Sequence, residues 1–157
     1  MMHAWTRLFV LIAVPLLWCA MPAQAQSLRD RLKGHTLDIR YGNSFDQKFY
    51  FHSDGRIFAY NSTYPGGEIF APGRSKITNR YSGSTNSYEI SFSGNTLIFV
   101  NNNKHTFTSP PVLSKYTYKA TISDLKCTSN SMAMWTTIHG SSNRSARNCR
   151  VYKGPPK

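Results

Sequence analysis

The chain has 157 residues, with 19 Lys and Arg against 7 Asp and Glu, a formal net charge of +12, and 40% hydrophobic and 13% aromatic residues. It is too short for a TIM barrel and suits one compact domain. Its aromatic share is too high for a disordered polar tail, and no collagen or heptad repeat runs through it.

In chain order, residues 1–25 read as an export signal rather than part of the fold. His3 and Arg7 lie in the n-region, residues 8–20 are apolar, and Ala23-Gln24-Ala25 places small residues where a signal peptidase reads them. The apolar run is shorter than the ~20 residues that span a bilayer. Cleavage after Ala25 leaves one domain, residues 26–157, in a bacterial periplasm or secreted. Arg7 and Cys19 leave with the leader, so 18 basic residues face 7 acids, a net of +11. The two cysteines that stay, Cys127 and Cys149, are expected to pair in an oxidising compartment. Such a loop stabilises a fold by about 3 kcal/mol on the chain-entropy model. They lack the C-x-x-C spacing of a redox pair.

Residues 27–33 predict a short helix, with Leu28 and Leu32 on one face and Gly34 ending it. The period then becomes two. Strands are expected at 36–41, with Leu37 and Ile39 on one face, at 48–52, with Phe49 and Phe51, and at 56–60 after the Ser53-Asp54-Gly55 turn. Others follow at 77–81, 87–92, 96–100 after Gly94-Asn95, 115–122, 132–138 and 147–153. Eight or nine short strands joined by hairpin signals predict an all-β protein. The expected form is a small antiparallel β-barrel of lipocalin-like type, about eight strands with a short N-terminal helix, because closure removes exposed edges. A β-sandwich is the alternative. Two connections, 61–74 and 101–113, are long enough to carry function.

Leu32-Lys33-Gly34-His35-Thr36, then Phe51-His52-Ser53-Asp54-Gly55-Arg56-Ile57-Phe58, then Phe92-Ser93-Gly94-Asn95-Thr96-Leu97 resemble segments of a group of small exported bacterial proteins. Those have a leader, a β-rich body, an S-x-G-R-x-F hairpin and a late Cys. The resemblance covers most of residues 28–127 and implies the fold and the export address. It carries no catalytic or binding residue across, and residues 127–149 depart from the pattern.

For chemistry, the chain has no G-x-S-x-G, no H-E-x-x-H and no Gly-rich phosphate loop. The acids Asp30, Asp38, Asp46, Asp54, Glu68, Glu89 and Asp124 are scattered, whereas general acid–base work needs positioned pairs. No catalytic residue and no cofactor is expected, although a hydrolase with a site assembled by the fold stays open as an alternative. Met132, Met134, Trp135 and His139 have the composition of a Cu(I) site. On a strand, however, the two Met oppose Trp135 and His139 in parity, so no metal is expected there. His35, His52 and His105 show no ligand spacing.

Binding is the favoured class. Arg144, Arg147, Arg150 and Lys153 recur every three residues and suggest contact with a polyanion: anionic lipid, lipopolysaccharide or acidic glycan, with nucleic acid the least suited. The competing reading is that this charge keeps the domain soluble. Tyr60, Tyr64, Ile69 and Phe70 lie on the long 61–74 connection or beside it. They read as a lid over a mouth for a small apolar ligand, or as a plug that closes a filled barrel. A module presenting loops 61–74 and 101–113 to another protein is the remaining alternative.

Overall fold

The computed structural model describes residues 26–40, 46–61, 67–105, 112–127, 132–137 and 140–157; the leader, Tyr64 and His139 lie outside these. Helix α1 (Leu28–Arg31) is followed by β1 (His35–Arg40), β2 (Asp46–Phe51), β3 (Ile57–Asn61), β4 (Glu68–Phe70), β5 (Lys76–Tyr81) and β6 (Ser84–Ser93). Then come β7 (Thr96–His105), β8 (Val112–Ser123), β9 (Lys126–Cys127), β10 (Met132–Thr137), β11 (Gly140–Ser145) and β12 (Asn148–Lys153).

The fold is all-β, built from two antiparallel sheets. One has five strands in the order β12-β1-β2-β3-β4. The other has seven, running β11-β10-β8-β7-β6-β5 with β9 paired to β8 beside that path. The inward residues of both sheets share one core. Phe49 and Phe99 meet edge-to-face across it with centroids 4.9 Å apart, Phe70 approaches Phe99 at 6.3 Å, and Phe51 approaches Phe92 at 6.2 Å. Leu37, Ile39, Ile57, Ile90, Leu97 and Ile122 fill the space between. Each fully buried side chain of this kind stabilises the fold by about 1.5–3 kcal/mol.

Helix α1 closes one end of this core. Ser27 caps it, its hydroxyl accepting from the Asp30 N–H, and Leu28 and Leu32 are buried as their spacing predicts. The Arg29 guanidinium donates to Gly55 O and that of Arg31 to Asn95 Oδ1, which ties the helix to the β2–β3 and β6–β7 turns. At the β8–β9 turn Asp124 and Leu125 both take positive φ, 49° and 58°. A two-residue hairpin requires this, and a bulky Leu adopts it only at a cost. Leu125 packs against the core, which offsets that strain.

Three expectations need correction. The ladders do not close into an eight-stranded barrel; neither sheet closes on itself. Strand β4 has three residues and Pro72 follows two residues after it, so edge strands β4 and β5 connect through the turn 71–75 without forming a ladder. Of the expected loop 101–113, the described residues 101–105 and 112–113 are strand: Asn101, Asn102 and Asn103 pair in register with β6 and β8. Tertiary pairing here overrides the low strand propensity of Asn. The 61–74 connection likewise contains β4, paired to β3 through Ile57↔Phe70 and Phe58↔Ile69.

Cys127 and Cys149 form a disulfide with Cα atoms 5.6 Å apart. Because β9 belongs with β8 and β12 with β1, this bond staples the edge of one sheet to the edge of the other.

Candidate functional site

Of the C-terminal basic residues, Arg150 is drawn into an ion pair of the fold. Arg150 lies on the outward face of β12, opposite Asp38 of β1. Its guanidinium donates to Asp38 Oδ2 through Nε at 3.1 Å and through a terminal nitrogen at 2.9 Å. The Asp38 side chain has no solvent exposure, and Arg40 approaches the same oxygen at 3.7 Å. Arg150 also lies 5.3 Å over the Tyr152 ring. Its charge therefore serves the fold. Arg147 donates its backbone N–H to Arg40 O, and Lys153 pairs in register with His35 at the far end of β12. Arg144 falls on β11.

Of the four loop candidates Tyr60, Ile69 and Phe70 are described, and they point to different faces. Phe70 is fully buried in the core. Its neighbour Ile69 is half exposed on the opposite face of β4. Tyr60 faces outward on β3, stacked on Phe58 at 6.2 Å and 8°. The same outer face carries Tyr50 and His52, with Arg56 5.4 Å over the Phe58 ring. Cross-strand pairs of this kind stabilise a sheet. Charges on this face are compensated locally: Asp54 takes Arg56 at 2.7 Å and His52 at 2.8 Å, and Lys48 lies 3.5 Å from Asp46. The backbone N–H of Arg56, with the side chains of His52 and Arg56, holds the Asp54 carboxyl down at about 2. Burial, with Tyr50 beside it, pushes the Tyr60 phenol up. The segment after β12 turns at Gly154, whose carbonyl accepts from Thr36 Oγ1 at 2.6 Å, and reaches Lys48, which donates to Lys157 O at 3.3 Å. It crosses β1, where Thr36 and Asp38 are buried.

A second group of cations lies on the other sheet. Lys76 and Arg80 of β5, Lys104 of β7, and Lys115 and Lys119 of β8 are all exposed. The register places them on one outer face: the row Arg80–Thr85–Lys104–Leu113 runs beside the row Thr78–Ser87–Asn102–Lys115. Among the described residues this face has one acid, Glu89, 3.4 Å from Lys76. Strands about 4.8 Å apart and a rise of about 3.4 Å per residue put Arg80 roughly 10 Å from Lys104, and Lys115 roughly 13 Å from Lys119. These separations exceed the Debye length of about 8 Å at physiological salt, so the cations act there as separate contacts and reinforce one another only at low salt. Exposed Thr78 and Asn102 and half-buried Thr85, Ser87 and Thr121 lie at positions between them. The period-two reading of 115–122 already put Lys115, Thr117, Lys119 and Thr121 on one side. Only the ladder brings Arg80 and Lys104 beside them.

The interior also has a polar end. Away from α1, the inward positions become Gln47, Glu68, Asn79, Asn86, Asn101, Asn103 and Ser114. Gln47 donates to Tyr60 O at 2.7 Å and Asn79 to Glu68 Oε2 at 2.5 Å. The Oδ1 atoms of Asn86, Asn101 and Asn103 are buried without a hydrogen-bond partner. An orphaned buried acceptor costs about 1–3 kcal/mol.

Among the described residues no group of three or more His, Cys, Asp and Glu is placed to hold a metal ion. Met132 and Met134 pair in register with Lys119 and Thr117, and Trp135 with Tyr116. Asp38, the one buried acid, is engaged by two arginines. No family model, no curated protein and no solved structure matches the chain.

Proposed function

We propose that this chain is an exported, non-catalytic binding protein of the bacterial envelope, and that it docks on an acidic glycan through the cationic outer face of its seven-stranded sheet. The observation that carries the reading is the segregation of charge. Five exposed cations share that face with one acid, while on the other sheet Lys48 lies beside Asp46, Arg56 beside Asp54, and Arg40 and Arg150 beside Asp38. A cationic sheet face suits an extended polyanion better than a small ligand. The hydroxyl and amide side chains between the cations can exchange hydrogen bonds with sugar hydroxyls, which favours a glycan over a lipid surface. The Ala23-Gln24-Ala25 leader and the Cys127–Cys149 bond support the address.

The test is a titration of the chain with oligogalacturonate, neutral dextran fragments and phosphatidylglycerol vesicles at low and physiological salt. Oligogalacturonate should bind, with affinity falling as salt rises, and Arg80→Ser/Lys104→Ser/Lys115→Ser should lose about tenfold, since three exposed contacts contribute a few tenths of a kcal/mol each. Equal binding of dextran, or full affinity in the triple variant, would reject the reading. Binding to vesicles alone would move the partner to anionic lipid.

A further inference from the structure

The two sheets end on four strands, β12 and β4 in one, β11 and β5 in the other. Three of these edges are poor supports for a further strand. Strand β4 has three residues, with Pro72 two residues after it. Strand β12 is tied to β9 by the Cys127–Cys149 bond. Strand β11, Gly140–Ser145, has no apolar or aromatic residue. Edge strand β5 differs. Its six residues, Lys76–Tyr81, hold an unbroken register with β6 and include no Pro or Gly, and its Ile, Thr and Tyr favour extended backbone.

The hydrogen bonds show which backbone groups of β5 are free. The Ile90 N–H donates to Ser75 O at 2.9 Å, and this pair continues the β5–β6 register by one step. Bonded and non-bonded pairs alternate along an antiparallel ladder. Ile77, Asn79 and Tyr81 therefore direct their backbone groups to β6. The N–H and C=O groups of Lys76, Thr78 and Arg80 point away from it. Among the described residues no strand pairs with β5 on that side, and all three residues are exposed.

We propose that the free edge of β5 takes an extended acidic peptide of a partner protein as an additional antiparallel strand. Backbone pairing of this kind supplies affinity, and alternate side chains supply selection. Here the selecting groups are cations. Lys76 and Arg80 flank Thr78 on the outer face, about 13 Å apart. Residues opposite them on an added strand are also four positions apart and on that face, so acids at those two positions meet cations. Glu89 already lies 3.4 Å from Lys76, but both side chains are open to solvent, and such a pair contributes little. On the inner side Ile77 packs against the core, so an apolar neighbour on the added strand extends that core. A second copy of the chain is the wrong occupant. Twofold pairing centred on Thr78 sets Lys76 of each copy opposite Arg80 of the other, and like charges directly opposite destabilise a ladder. The proposal shares Lys76 and Arg80 with the glycan-docking face but rests on the backbone edge beside it.

The test is fluorescence anisotropy of a dye-labelled, end-blocked heptapeptide, Ser-Glu-Val-Thr-Val-Glu-Ser, titrated with the chain at physiological salt. It should bind saturably, with Kd of about 100 μM or tighter. The counterpart with Lys in place of both Glu should bind at least about tenfold more weakly. N-methylation of the peptide's Thr and Glu amides, which face β5, should abolish binding. N-methylation of its two Val amides, which face away, should change Kd by less than about threefold. Thr78→Pro removes one edge N–H where Pro is tolerated. It should weaken the peptide about tenfold and lower the melting temperature by no more than about 4 °C. Absence of saturable binding would overturn the proposal. So would an equal effect of the two N-methylated sets, since charge on the face alone would then hold the peptide, or equal binding of the Lys peptide. A larger fall in melting temperature for Thr78→Pro would show that its N–H is not free, with the same consequence. Concentration-dependent dimerisation of the chain that Thr78→Pro abolishes would give the edge to a second copy instead. Because the N-methyl series alters only the peptide, it leaves the oligogalacturonate titration untouched, and the two readings fail separately.

Discussion

Arg150→Ala should lower stability and leave glycan affinity unchanged. The guanidinium makes two charge-assisted hydrogen bonds to a carboxylate with no solvent exposure, at 3.1 and 2.9 Å. Removing one partner of a buried ion pair typically costs about 3–5 kcal/mol, because the remaining charge is left desolvated. Two features reduce that figure. The Arg150 side chain is 52% exposed, so water already screens part of the interaction, and Arg40 stays 3.7 Å from Asp38 and can close on it. We therefore expect a loss of about 2–3 kcal/mol, measurable by urea unfolding as a shifted midpoint at constant slope. Asp38→Asn keeps the shape and removes the buried charge, so it should cost less. The double variant should then lose less than the two single losses added, with a coupling of about 1.5 kcal/mol or more. A loss below about 0.5 kcal/mol for Arg150→Ala, or strict additivity, would show that the pair is not structural. A drop in oligogalacturonate affinity would return Arg150 to the binding surface.

Three further outcomes follow from individual residues. Replacing Cys127 and Cys149 together by Ser should destabilise the chain by about 3 kcal/mol in urea unfolding, from the loop they close, and a parent that labels with two thiols after denaturation without reductant would contradict the bridge. Gly67→Ala should cost about 2 kcal/mol or more in the same assay, because Gly67 has φ 67° and a Cβ there would lie 2.8 Å from the Tyr60 ring and 2.9 Å from Ala59 O; a neutral result would mean that the 67–70 segment sits differently. The Asp54 carboxyl is held at about 2, below its ordinary 3.8, so the stability it contributes is present above pH 4 and disappears as the pH falls from about 4 to 2. Asp54→Asn should therefore be less stable than the parent at pH 6 and converge with it by pH 2, and parallel curves throughout would refute the assignment.

What was legible in the sequence is what alternation encodes. Leu37 with Ile39, Phe49 with Phe51, Tyr88 with Ile90, and Tyr118 with Ala120 and Ile122 all face the core in the parity their spacing predicts. Leu28 and Leu32 do so on the helix. The Cys127–Cys149 bond follows from cysteine count and address. What was illegible lies between elements distant in the chain. Asn101 and Asn103 point inward although they are polar, so no alternation marks 101–105 as strand. Strand β4, three residues between Gly67 and Pro72, is too short for a period to show. Arg150 meets Asp38 across 112 positions, and a reading of 144–153 alone sees only repeated positive charge. The cationic face draws one or two residues from each of three strands, and only the register of β5 through β8 makes it a surface.

Docking on the outer face of the seven-stranded sheet can be mapped through backbone amide shifts of the ¹⁵N-labelled chain as oligogalacturonate is added at low salt. Saturable shifts are expected at residues 76–80, 98–104 and 113–121, with 48–60 and 148–153 quiet. Shifts centred on 148–153 or on the Tyr50, Phe58 and Tyr60 face, or none that saturate, would contradict it.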